Sequence, residues 1–264
     1  MAIPALRKDR VRMLIFVKRK DGLSFEEWSK YWLETHGPIF TSTEVAKQNI
    51  MRYEQLHVNQ VAKQRLEAAG FKVPDFDGVV VLEAESYDKI VATVTADEWH
   101  QKVIPDGDKI FKQESNRYGY YAIATLHEKT KPKTPPAPRF AEGKAQFLVQ
   151  MKRKEGLSQD EFENYWLEEH SKIITGFAPA KEGLTKYEQL HINREPIAGV
   201  DIEKLRPEWD GVALFEAESV DNISAVLTSE GYRALADPAQ AKFLDRMNSG
   251  FLPVDVAVLL DRDV

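Results

Sequence analysis

Apolar and polar residues alternate from residue 11 to residue 19. Val11, Met13, Ile15 and Val17 fall on one face, and Arg12, Leu14, Phe16 and Lys18 on the other. A period of two predicts a β-strand, and apolar residues on both faces predict one that is covered on both sides. Residues 1–10 before it read as a loose arm. Lys20-Asp21-Gly22 turns the chain, and the pattern becomes helical. Ser24 is a natural N-cap, Glu27 completes a capping box, and Leu23 with Trp28 makes a hydrophobic staple. Trp28, Trp32 and His36 recur every four residues along one stripe. Gly37-Pro38 is expected to end the helix, which puts His36 at its C-terminus. A short helix at 43–47 and a strand at 50–59 follow. On that strand Met51, Tyr53, Gln55 and His57 share one face, and Arg52, Glu54 and Leu56 the other. Next come a loop at 60–75 with a helical turn at 62–69, a strand at 79–85, and a helix at 87–94 capped by Ser86. A partly helical stretch at 98–113, broken by Pro105, leads to a strand at 118–128.

The pattern is then written again. Residues 18–36, KRKDGLSFEEWSKYWLETH, return at 152–170 as KRKEGLSQDEFENYWLEEH, 134 residues on. Ser158, Glu161, Leu157 and Phe162 repeat the cap and staple, and Phe162, Trp166 and His170 repeat the stripe. Tyr53-Glu54-Gln55-Leu56-His57 returns as Tyr187-Glu188-Gln189-Leu190-His191. Asp77-Gly78 returns as Asp210-Gly211 at an offset of 133, one residue having been lost between. The chain is a tandem duplication, with a first unit at 1–129, a linker at 130–139 and a second unit at 140–264. The linker holds TKPKTPPAP, whose four prolines in nine residues favour a semi-stiff polyproline II spacer. Each unit reads β-α-β-β-α-β, the ferredoxin-like order of an α+β fold: a four-stranded antiparallel sheet with helices on one face. The other sheet face is also apolar and needs a cover, which the second sheet can supply by closing one pseudo-symmetric barrel with the first.

Composition narrows the class. Of 264 residues, 43% are hydrophobic and 30% charged, a globular balance large enough for two cores. A net charge of −6 with both signs interspersed offers no basic face for nucleic acid or an acidic membrane. The absence of cysteine excludes disulfides, thiolate catalysis and Cys-ligated metals. No run approaches the ~18 apolar residues of a membrane span. A cytoplasmic protein is the expectation, with no nucleic-acid or membrane partner.

The motif Lys-Arg-Lys-x-Gly-Leu-Ser-x-x-Glu-(Trp/Phe)-x-x-Tyr-Trp-Leu-x-x-His resembles the EthD family of the dimeric α/β barrel superfamily, in both halves. The resemblance is specific in the first helix of each unit and looser through the strands, and the first half alone keeps Gly-Pro after its histidine. It implies a fused dimer of units that elsewhere pair through their sheets. It also implies a ligand pocket between sheet and helices, and chemistry from a set spanning cofactor-free polyketide cyclases, decarboxylases, dehydratases, lactone isomerases, monooxygenases and haem enzymes. The family name fixes the fold rather than the reaction.

The candidate chemistry is repeated too. His36 and His170, expected at helix C-termini, suit a general acid or an anion anchor. His57 and His191 share their strand faces with Tyr53 and Gln55, and with Tyr187 and Gln189. Such a row offers a base, an amide and an oxyanion donor. It equally suits a satisfied polar seam between two sheets. Trp32 and Trp166 are candidates to line an aromatic pocket and equally to be plain core. Glu83/Glu85 and Glu216/Glu218 read as strand-end carboxylates, solvated or paired with Lys18 and Lys152. The run Lys18-Arg19-Lys20 reads as a solvated strand end. His100 and His127, whose counterparts are Arg233 and Leu260, read as surface residues. Should one half lack activity, these differences point to the second.

There is no phosphate loop, no GxSxG elbow and no His pair at metal spacing, so neither a cofactor nor a metal is expected. The first reading is a cofactor-free acid–base enzyme for a small aromatic or polyketide-like ligand, catalysing cyclisation, dehydration or decarboxylation. A non-catalytic binding or scaffold module and a haem-binding oxidase or peroxidase stand beside it. Further homo-oligomerisation of the pseudo-dimer is left open.

Overall fold

A computed structural model describes residues 5–129, 139–205 and 207–263; the expected spacer at 130–138 lies outside the described residues. Eight strands are formed: β1 (Val11–Val17), β2 (Arg52–Val58), β3 (Gly78–Ala84), β4 (Arg117–Glu128), β5 (Phe140–Met151), β6 (Lys186–Ile192), β7 (Gly211–Ala217) and β8 (Gly250–Asp261). They close into one barrel in the order β1-β3-β2-β8-β5-β7-β6-β4, with every neighbour antiparallel. Each unit contributes the ferredoxin-like sheet expected of it, β4-β1-β3-β2 and β8-β5-β7-β6. The seams between units are the β2–β8 and β4–β6 pairs, so neither sheet keeps a free edge.

Alternation along the strands sorts the side chains into two layers. Met13, Ile15, Val17, Tyr53 and Leu82 face the helices of the first unit, and Phe147, Val149, Tyr187 and Phe215 those of the second. Leu14, Phe16, Leu56, Val81, Leu148, Leu190, Val212 and Val254 fill the barrel interior. That apolar filling occupies one end only. At the other end the inward positions are charged. The Arg12 guanidinium bonds Glu83 and reaches Glu188 of the second unit at 2.8 Å, and Lys144 reaches back to Glu54 at 2.7 Å. Burial would raise the Glu83 carboxyl, but Arg12 and Arg52 beside it hold it down at about 2.

Several local expectations change here. Glu83 and Glu216 are buried inside the barrel and do not pair with Lys18 and Lys152, which bond Asp75 and Asp210 instead. Arg19 is no solvated strand end. Its backbone N–H and guanidinium both bond Asp77, as those of Arg153 bond Asp210. The described part of the N-terminal arm is anchored: the Arg7 N–H donates to the Ile123 carbonyl at 2.7 Å, and Arg10, only 7% exposed, bonds Asp263.

The Asp-Gly pair repeated in both units has a second reason. A Cβ on Gly78 would lie 2.5 Å from the Trp32 ring, and one on Gly211 would lie 2.6 Å from that of Trp166. Only glycine lets the tryptophan lie flat on the strand.

Glu83 touches Arg12, Arg10 and Arg52 at once. Removing one partner from a buried ionic cluster leaves uncompensated charge. Glu83→Gln is therefore expected to lower unfolding free energy by about 3–5 kcal/mol, read from denaturant midpoints; a loss below about 1 kcal/mol would mean that the cluster is not needed for closure.

Candidate functional site

The first-helix stripe lies on the sheet as its spacing demands. Both capping boxes form, Ser24 with Glu27 and Ser158 with Glu161. The helical path does not stop at Gly37-Pro38. The segment Phe25–Tyr31 passes into a π-helical turn, Trp32–His36, and then into Gly37–Ser42, which holds Pro38 near its start. His36 therefore sits inside a helical run with αR backbone, not at a helix C-terminus, and the end-dipole argument for a charged imidazole does not apply. In the second unit Tyr165–His170 is π-helical as well. Pro105 likewise breaks nothing; it falls in the first turn of Ile104–Gly107.

The strand row explains the π turn. Tyr53, Gln55 and His57 all face the helices. The Gln55 Nε2 amide donates to the Trp32 carbonyl at 2.9 Å and to the Tyr53 hydroxyl at 2.7 Å. Its Oε1 is then left to accept from His57 Nε2 at 3.2 Å, while His57 Nδ1 accepts from the Ser29 hydroxyl at 2.8 Å. The Trp32 carbonyl also takes the Gly37 N–H, five residues on. A Cβ at position 37 would lie 2.6 Å from Gln55 Nε2, so the glycine makes room for this bond. The second unit repeats it: Gln189 donates to the Trp166 carbonyl at 2.9 Å and to the Tyr187 hydroxyl at 3.0 Å, and accepts from His191 at 3.1 Å. Trp32 lies over His57 and Trp166 over His191, with centroids 4.4 and 4.7 Å apart. Both rows are buried, and in the first both histidine nitrogens are bonded. Burial alone pushes the imidazoles down, His57 to about 3 and His191 to about 4, and raises both tyrosines, Tyr187 to about 12.

His36 belongs to a different cluster. Its Nδ1 donates to Asp106 Oδ2 at 2.9 Å, and its ring meets Phe111 edge-on. The other Asp106 oxygen accepts from the Tyr31 hydroxyl and the Lys109 ammonium, both at 2.8 Å. Burial lowers the His36 pKa against the opposing pull of Asp106, so the ring is neutral at pH 7. Burial would raise Asp106, but Lys109, Tyr31 and His36 keep it ionised. A neutral imidazole with Nδ1–H held by a carboxylate presents Nε2 as a base. Tyr31, Asp106 and Lys109 were missed in the sequence. Asp106 is 70 residues from His36 and has no local signature; what marks it is that the duplicate has Ala239 there.

His170 has no such partner. Its ring packs on Phe243, both of its nitrogens are buried without a hydrogen bond, and burial pushes it down to about 4. Trp28, Trp32 and Trp166 are fully buried core. Trp209 sits in the barrel interior, donating to the Tyr121 hydroxyl at 2.9 Å. His100 is exposed, whereas His127 is half-buried and bonds the Leu184 carbonyl. Among the described residues no cluster of three or more His, Cys, Asp or Glu side chains could hold a metal, and no helix is long and apolar enough to cross a membrane.

A barrel of two ferredoxin-like sheets, each carrying a histidine-bearing π turn on its outer face, defines a dimeric α/β barrel joined within one chain. The EthD domain matches residues 20–114 and again 154–247, and the chain belongs to that family. An anthrone oxidase-like protein superposes with a TM-score of 0.58 at 11% identity, over 97% of this chain and 95% of that one. A monooxygenase-like protein of Lactobacillus acidophilus gives 0.55 at 7% identity, over 96% of each chain. At such identities these show the shared fold. The chain is 33% identical over 92 residues to chalcone isomerase cfoK of Aspergillus candidus. The match takes in 34% of this chain and 35% of the relative's length.

The buried imidazoles set a pH dependence. Their folded pKa values lie below the unfolded value, so stability is fully present above about pH 6.5 and falls as the unfolded chain takes up protons below it. At pH 5, His57, His170 and His191 should each cost about 2 kcal/mol relative to pH 7.5. His57→Gln should narrow the difference between denaturation at the two pH values by that amount; a midpoint that does not move between pH 7.5 and 5 would contradict their neutral burial.

Proposed function

We propose that the chain is a small-molecule enzyme that moves a proton on an aromatic or polyketide-like, enolisable ligand, with His36 as the base. The observation that supports this is the His36–Asp106 pair. Nε2 takes a proton from a carbon next to a carbonyl, or from a phenol. The imidazolium so formed is stabilised by Asp106, whose second oxygen is fixed by Tyr31 and Lys109. The same imidazole returns the proton elsewhere on the ligand. Cyclisation, isomerisation, dehydration and decarboxylation all fit one such step, and the resemblance to a protein named a chalcone isomerase favours the first two. His36 thus acts as base rather than as a resting acid or anion anchor. His57, Gln55 and Tyr53 are positioning residues in this reading, since they tie the Trp32 carbonyl four residues before His36. His191, Gln189 and Tyr187 do the same for Trp166.

Hydrogen exchange at carbon reads the proton transfer alone, whichever step follows it. Enolisable aryl ketones, acetophenone and 1-tetralone among them, are incubated with the protein in D2O, and deuterium uptake at the α-carbon is followed by NMR. His36→Ala is expected to slow uptake by ~10² or more, and Asp106→Asn by a smaller factor with a shifted pH profile. Uptake unchanged by His36→Ala, or ligand retained with no exchange in the wild type, would replace the enzyme by a binding module.

A further inference from the structure

We propose that the protein has one catalytic centre per chain, in the first unit, and that the second unit lost its centre through a single missing carboxylate at Ala239. This rests on the acid–base reading above.

The two units can be matched through their backbone hydrogen bonds near the histidine, although the ring on the histidine is Phe111 in the first unit and, one position earlier in that register, Phe243 in the second. Lys112 donates its N–H to the Lys18 carbonyl, and Asp245 donates to Lys152, which sets the local offset at 133 residues. Asp106 then corresponds to Ala239, Gly107 to Gln240 and Lys109 to Lys242. Across the first helix Tyr31 corresponds to Tyr165 and His36 to His170, so histidine, tyrosine and lysine are all kept. Only the group that joins them is gone. In its absence the lysine points elsewhere: Lys242 Nζ sits 5.9 Å from the Tyr165 ring centre, whereas Lys109 bonds Asp106 beside the Tyr31 hydroxyl. The imidazole is stranded, with neither His170 nitrogen bonded.

The backbone carries the same asymmetry. In the first unit the helix Ile104–Gly107 ends just after Asp106. Gly107 lies against the ring: a Cβ there would be 3.4 Å from His36 Cε1. In the second unit one helix runs through from Glu230 to Phe243, with glutamine at the glycine's position. The second unit is left with a structural duty: its sheet closes the barrel, and Ile197 and its neighbours Val200 and Ile202 pack on the core of the first unit.

Two measurements test this. In the aryl-ketone exchange assay, one centre requires His36→Ala to remove ~99% of the exchange. Loss of about half would mean two working centres and would overturn the proposal while leaving the acid–base reading intact; no loss would overturn that reading as well. The second measurement is independent of activity. ¹⁵N–¹H NMR of the histidine rings should show one carboxylate-bonded Nδ1–H, lost in Asp106→Asn. Ala239→Asp should create a second such signal from His170 and, in the His36→Ala background, raise exchange at least tenfold above that background. A wild-type spectrum with two carboxylate-bonded rings would overturn the proposal, whether or not the Ala239→Asp chain folds.

Discussion

Each four-stranded sheet has two unpaired edges and two apolar faces, and every other feature depends on how these are covered. Helices cover one face of each sheet. The other face and both edges are covered by the sister sheet, through the β2–β8 and β4–β6 seams. Backbone hydrogen bonds at the seams leave no exposed template for aggregation. Inside the closed barrel, aliphatic side chains fill one end and an ionic cluster the other. The cluster is built from crossed pairs, Arg12 with Glu188 and Lys144 with Glu54, so it ties one unit to the other. Charges so buried are strongly attractive only in one register, which suits fixing how two similar sheets meet.

Closure leaves the outer faces as the place where chemistry can be built. There the tryptophans lie on bare glycine, and a strand glutamine takes hold of a helix carbonyl. The helix answers by widening into a π turn that carries a histidine in each unit. This is a local departure from regular geometry at the most distinctive residues of the chain, and π turns often mark such sites. Of the strand histidines, which invite a catalytic reading, His57 has both nitrogens bonded and His191 bonds Gln189 through Nε2. The helix histidine of the first unit has a carboxylate on one nitrogen only.

Duplication supplies an internal control. Two copies of one motif, folded to one pattern, differ at the position where a carboxylate meets the imidazole. With Ala239 in place of Asp106, the second unit keeps the capping box, the π turn and the Gln–Tyr–His row, and its His170 ring has no hydrogen-bond partner. The shared residues hold the fold, and the units differ in what surrounds the helix histidine.

The sequence by itself determined the duplication, the strand and helix order, the capping boxes and the two-faced sheet that demands a barrel. These follow from local periodicity and cap chemistry, which act over a few residues. Only the tertiary structure decided which strand face meets the helices, because alternation separates two faces without naming their partners. It moved Glu83 and Glu216 into the barrel, since a charged strand end looks alike in sequence whether it meets water or a buried arginine. It carried the helix through Gly37-Pro38, because the bond from Gln55, on another strand, shapes that turn. And it joined His36 to Asp106, two residues 70 apart that only the closed packing of the first unit brings within a hydrogen bond.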